Sequence, residues 1–201
     1  LSGRVSPSYK FPTQIGPNPM LTTIDNNLLT MADNGDFDII CHGANCFHTM
    51  ASGIAGQIVK KWPEVAVADK QTEYGTRSKL GTFSEVDVVG SSGHGFKILN
   101  AYTQFTYGRG KDIFEYEAFE TFLNRLFVKV YVMDSKSDPT IKTPVRIGFP
   151  MIGCGLAGGD PDRVLASLNK FAEDLGDMGE VTVVKFSPAV VGGKAPPDLG
   201  Y

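Results

Sequence analysis

At 201 residues the chain has the size of one domain, and its 42% hydrophobic and 20% charged residues suit an ordinary globular protein with a single buried core. A net charge of -3 gives no footprint for nucleic acid or an anionic membrane, no apolar run reaches membrane-spanning length, and no charged start with an apolar core suggests a secretory signal. Three sparse cysteines, an odd number, do not make a disulfide framework, so a reducing cytoplasm is expected.

Residues 1–19 carry Pro7, Pro12, Pro17 and Pro19 among Ser and Gly, and read as a flexible arm or a remnant ahead of a natural start at Met20. Leu21 to Ile24 suits a first strand, with Asp25-Asn-Asn27 turning out of it. Phe37 to Cys41 is a short apolar run, as in a strand covered on both faces, and it passes through a polar turn into a helix from about Gly53. Trp62-Pro63 ends that helix, and a second is expected from Glu64 to Tyr74, closed by Gly75. Thr82 to Val89, the turn Gly90–Gly95 and Phe96 to Tyr102 read as a hairpin. Phe119, Phe122, Leu123 and Leu126 recur at helical spacing within Glu115 to Val132. A polar loop follows from Ser135 to Thr143, then a buried strand from Val145 to Ile152. Asp160-Pro161 caps and starts the next helix, Gly176 and Gly179 bracket its end, and Val181 to Phe186 is the last strand. Ser187 onward reads as a loose tail. Helices alternating with apolar strands predict an α/β protein, a three-layer α/β/α sandwich with a mixed sheet in which the hairpin breaks strict parallel order.

The chemistry-bearing residues gather at two places. Ala51, Ser52 and Gly53 leave the first N–H groups of their helix unobstructed, and those groups with the helix dipole favour an anion. Asn45 lies just past a strand end, where open α/β sheets gather ligands; its amide suits a ribose hydroxyl, against the plainer reading of a turn cap. His42 titrates in the range for an acid or base, against the plainer reading of a core histidine bonded to backbone. His48 is either a cationic donor to a phosphate or a solvent-facing loop residue. Cys41, His42, Cys46 and His48 fall within one strand and its loop rather than in two separated pairs, so no metal is expected. Gly153-Cys-Gly-Leu-Ala-Gly158 has the glycine spacing of dinucleotide folds, but it comes late and no acidic residue ends the next strand, which disfavours a nicotinamide dehydrogenase. No Gly-Lys-Ser/Thr is present, which excludes a P-loop nucleotidase. What remains is a glycine loop whose N–H groups can approach a diphosphate, with Cys154 as a small packing residue.

His42-x-x-Asn45-Cys46 followed by Met50-Ala-Ser-Gly-Ile-Ala55, then Asn100-Ala-Tyr-Thr-Gln104, then Pro150-Met-Ile-Gly-Cys-Gly-Leu-Ala-Gly-Gly159, resemble the two ligand loops and inner strand of the macro domains. These are ADP-ribose-binding modules, and the resemblance is to the branch with ADP-ribose 1''-phosphate phosphatases and phage homologues. It covers residues 20–187, setting one macro domain between the arm and a tail at 188–201. The resemblance implies the sandwich fold, no cofactor, and ADP-ribose or ADP-ribose 1''-phosphate as ligand. Contacts are implied from Asn45, Ala51, Ser52, Gly53 and Ile54 in the first loop, and from Gly153, Cys154, Gly155, Leu156, Ala157 and Gly158 in the second. Asn27, with Asp25 nearby, stands closest to the acidic residue that holds adenine in the family. The implied activity is hydrolysis of ADP-ribose 1''-phosphate, with His42 and Asn45 catalytic. Two alternatives stand beside it: a non-catalytic reader of ADP-ribose or a related NAD-derived nucleotide, and a hydrolase acting on ADP-ribosylated protein or nucleic acid or on O-acyl-ADP-ribose. Lys60 and Lys61 fall on the helix body, which speaks against the lysine-dependent mechanisms of some relatives.

Overall fold

Six strands, β1 (Thr22–Asn26), β2 (Ile39–Asn45), β3 (Phe83–Val89), β4 (Gly95–Gln104), β5 (Val145–Phe149) and β6 (Gly179–Phe186), form one sheet in the order β1-β6-β5-β2-β4-β3. The computed structural model describes residues 21–110, 113–136 and 143–186. The expected arm at 1–19, the tail from Ser187 and most of the polar loop at 135–143 lie outside the described residues. All pairings are parallel except β3 with β4, the hairpin of the sequence reading.

The helices are α1 (Leu28–Asn34), α2 (Gly53–Lys61), α3 (Glu64–Lys70), α4 (Tyr116–Lys136) and α5 (Pro161–Leu175). The central strand β2 shows why they divide into two layers. Its side chains alternate, so Ile39 and Cys41 enter one core with Phe119, Phe122 and Leu168 of α4 and α5, while Ile40 enters another with Leu28, Ile58 and Val65 of α1, α2 and α3. The result is the expected α/β/α sandwich. Phe119, Phe122, Leu123, Leu126 and Val130 anchor α4, each buried side chain contributing about 1.5–3 kcal/mol relative to exposure. Asp160 caps α5 by accepting from the Asp162 N–H at 2.9 Å, and Pro161 takes the first turn.

The seven-residue α1 is absent from the sequence reading, which saw only a turn at Asn27. Asn27 Oδ1 accepts from the N–H groups of Leu29 (2.9 Å) and Thr30 (3.0 Å), and Gly35, at φ 92°, ends the helix. Elsewhere the ends shift. α3 stops at Lys70 rather than Tyr74, α4 runs on to Lys136, and β5 ends at Phe149, before Pro150. No helix among the described residues is long and apolar enough to cross a membrane.

Candidate active site

The C-terminal ends of β2, β4 and β5 open on a cleft of about 220 Å³. Gly43 and Asn45 come from β2, Ser52 to Ala55 from the entrance of α2, Gln104, Tyr107 and Gly108 from the end of β4, and Pro150 to Gly153 with Gly155 to Ala157 from the loop after β5. Among the described residues no Asp, Glu, Lys, Arg or His lines the cleft.

Asn45 is 5% exposed and is tied into its loop: Oδ1 accepts from the Phe47 N–H at 2.9 Å, and Nδ2 donates to the Thr49 carbonyl at 2.8 Å. The turn-cap reading of Asn45 therefore holds alongside its place in the cleft. Nδ2 keeps a second hydrogen. Ser52 occupies the N-cap of α2 in extended conformation yet makes no side-chain capping bond. The N–H groups of Gly53, Ile54 and Ala55, in the first turn, consequently meet no acceptor among the described residues. Across the cleft, the N–H groups of Gly155, Leu156 and Ala157 are likewise without an acceptor there. The glycine loop is held from outside: Gly110 N–H donates to the Leu156 carbonyl (3.2 Å) and Phe114 N–H to that of Ala157 (3.0 Å), while Gly159 N–H closes the loop on Gly153 (2.8 Å). Gly153 has φ 73°, and a Cβ there would lie 2.1 Å from the Phe114 ring, so only glycine fits.

Five expected site residues, four ligand contacts and one catalytic residue, lie outside this lining. Ala51, Cys154 and Gly158 sit beside it without facing it, and Cys154 Sγ turns to the Ile152 carbonyl at 3.4 Å. Burial raises the Cys154 thiol to about 11. Asn27 spends its side-chain oxygen on the α1 cap and lines a small recess with Leu28, Gln57, Val184 and Phe186, which adjoins the cleft at Ile54.

His42 is the fifth, and its position departs from the expected one beside the ligand. The alternation that sends Ile40 toward α3 sends His42 the same way, and it is fully buried. Its Nε2 lies 2.7 Å from Asn100 Oδ1, and Nδ1 lies 3.2 Å from the Gly43 carbonyl. Since Asn100 Nδ2 donates to the Val65 carbonyl and to Ser84 Oγ, Oδ1 is left to accept and Nε2 carries the proton. The network continues from Ser84 Oγ to the Tyr102 hydroxyl (3.0 Å), which donates to Asp69 Oδ1 (2.7 Å). Asp69 pairs with buried Lys79 at 3.7 Å; burial lowers the Lys79 pKa and raises that of Tyr102. His48, at φ 55°, reaches Thr72 Oγ1 with Nε2 at 3.1 Å rather than entering the cleft. Cys41, in one core, and His42, under α3, thus point to opposite faces of β2. Sequence reasoning missed Gly43, Thr49, Tyr107 and Gly108. Glycine loop-ends and a lone loop tyrosine carry no periodic signal, and only the continuation of Asn100–Gln104 pointed to that wall.

An α/β/α sandwich with a ligand-sized cleft between a helix entrance and a glycine loop at the strand ends is the architecture of macro domains. The macrodomain of Mycobacterium tuberculosis DarG matches it with a TM-score of 0.61 at 21% identity, covering 84% of this chain and 98% of that one. Thermosipho africanus DarTG, solved in complex with ADP-ribose, matches with a TM-score of 0.56 at 15% identity over 81% of this chain and 40% of the other. No protein-family model matches the sequence. An uncharacterized 17.5 kDa protein from the tk-vs intergenic region of Enterobacteria phage T4 is 35% identical over 150 residues, 74% of this chain and 86% of the relative. The chain belongs to the family of that phage protein and has the macro domain fold.

Proposed function

We propose that the protein binds ADP-ribose, with the diphosphate between the α2 entrance and the glycine loop and the outer ribose at Asn45. One observation carries this reading: two sets of backbone N–H groups without acceptors among the described residues, from Gly53–Ala55 and Gly155–Ala157, line one cleft whose described side chains are uncharged. Such donors favour an anion without a competing carboxylate. The ADP-ribose bound by T. africanus DarTG supports the same ligand class. Calorimetric titration tests it. ADP-ribose binds more tightly than AMP, because the second phosphate and outer ribose add contacts; equal affinities defeat the reading.

Recognition without turnover, the reader function, is the form this geometry supports best, since among the described residues the lining offers no carboxylate or imidazole for proton transfer. Hydrolysis of ADP-ribose 1''-phosphate is the second reading, favoured by one contact: His42 Nδ1 sits 3.2 Å from the carbonyl of Gly43, which lines the cleft floor. A panel of ADP-ribose 1''-phosphate, O-acyl-ADP-ribose and ADP-ribosylated protein and nucleic acid, followed for released phosphate and ADP-ribose, separates the two. Release of phosphate at a catalytic rate replaces the reader with the phosphatase.

A further inference from the structure

Among the described residues, His48 is the one non-glycine with a positive φ, at 55°. In the left-handed region a side chain works against its own Cβ, so such a residue persists only where its surroundings hold it. The hold here is polar. His48 Nε2 meets Thr72 Oγ1 at 3.1 Å, and Thr72 Oγ1 gives its own hydrogen to the Asp69 carbonyl at 2.6 Å, so the imidazole donates and the hydroxyl accepts. The ring also packs edge-on against Tyr74, with centroids 5.5 Å apart. Thr72 is fixed in turn. Its N–H donates to the Asp69 carbonyl at 3.0 Å, and the Asp69 side chain accepts from the Tyr102 hydroxyl at 2.7 Å and pairs with Lys79. The buried polar network under α3 thereby reaches the cleft loop through one imidazole.

That loop is the one that carries Asn45. Thr49, next in the chain after His48, lines the cleft, and its carbonyl accepts from Asn45 Nδ2 at 2.8 Å. Asn45 Oδ1 accepts from the Phe47 N–H at 2.9 Å and from the Thr49 N–H at 3.4 Å, so the residues on both sides of His48 are gathered on one amide. Rotation of the His48 φ to the negative side swings Thr49 away, and the Asn45 amide loses the partners that set its direction.

We propose that His48 is a positioning residue for the cleft. Its bond to Thr72 holds position 48 in the left-handed conformation, and that conformation keeps the Asn45 amide aimed at the ligand. The proposal rests on the ADP-ribose reading of the cleft, while the state of the loop can be read without any ligand.

Variants at position 48 separate the backbone conformation from the side chain. Glycine adopts the left-handed conformation freely, whereas alanine is held there against about a fivefold to thirtyfold preference for other conformations. Apparent affinity scales with the population of the binding-competent loop. Titration with ADP-ribose therefore finds His48→Ala weaker than wild type, and His48→Gly at least about fivefold tighter than His48→Ala. Thr72→Val removes the acceptor and also weakens binding, but costs nothing further when combined with His48→Gly, where the imidazole is already gone. Hydrogen exchange of the Phe47 and Thr49 N–H groups, measured without ligand, is slowest in wild type and fastest in His48→Ala. Glycine no tighter than alanine, or equal exchange in all three proteins, overturns the proposal while ADP-ribose binding by wild type stands. The expected exchange order in a protein that does not bind ADP-ribose keeps His48 as the anchor of the loop and defeats the ligand reading instead.

Discussion

His42 Nε2 meets Asn100 Oδ1 at 2.7 Å, a bond between β2 and β4 in the α3 layer and wholly inside the protein. Burial pushes the His42 pKa below its ordinary 6.5, outweighing the Asn100 and Gly43 contacts that raise it. The folded state therefore binds fewer protons than the unfolded chain just below pH 6.5, and the stabilisation present above that pH is lost as acidification proceeds toward the lower folded value. Denaturant titrations from pH 8 to pH 5 show stability falling through this window, and a His42→Gln variant has a shallower fall. An identical pH profile in the variant refutes the assignment.

Asn45→Ala deletes acceptance from Phe47 N–H and donation to the Thr49 carbonyl. The folded protein is destabilised by about 1 kcal/mol, as for a lost cap, and its ADP-ribose affinity falls because the loop and one ligand donor are lost together. Melting and calorimetry on one sample check both. Wild-type affinity in the variant removes Asn45 from the site.

Gly153→Ala places a methyl 2.1 Å from the Phe114 ring at a positive φ. Overpacking costs about 1–3 kcal/mol and the backbone conformation adds to it. The melting temperature falls, and ligand affinity falls with it because Phe114 N–H also holds the Ala157 carbonyl at 3.0 Å. A variant as stable as wild type shows that the loop relaxes freely.

Cys154 alkylates slowly at pH 8, because a thiol raised to about 11 is almost wholly protonated there. Mass spectrometry after iodoacetamide treatment of folded protein finds it largely unmodified, and Cys154→Ala binds ADP-ribose like wild type. Rapid modification, or loss of binding, contradicts its place as a packing residue.

The sandwich, the hairpin and both cleft loops were legible because each has a local cause: the apolar run Phe37–Cys41, the Asp160-Pro161 start, small residues at a helix entrance. α1 was hidden because seven residues between Asn27 and Gly35 are too few to establish a helical period. The position of His42 was hidden for a different reason. Alternation opposes it to Cys41, but which face opens on the cleft depends on how far the neighbouring strands extend and on the β2–β4 register shift between Ala44 and Asn45. Tyr107 was invisible since only the fold brings it to the cleft wall beside Phe47, distant in sequence.

The strand order also bears on how the chain acquires its cleft during synthesis. β1 pairs only with β6, and β5 inserts between β2 and β6. A nascent chain that has emerged as far as α4 holds β2, β3 and β4 as a partial sheet, yet β1 has no partner and the gap beside β2 is empty. Such non-local parallel pairing is slow relative to hairpin closure. The N–H groups of α2 and of the glycine loop face each other only after β5 docks, so ligand capture reports that docking step, and an anionic ligand present during refolding acts on it rather than on the early hairpin.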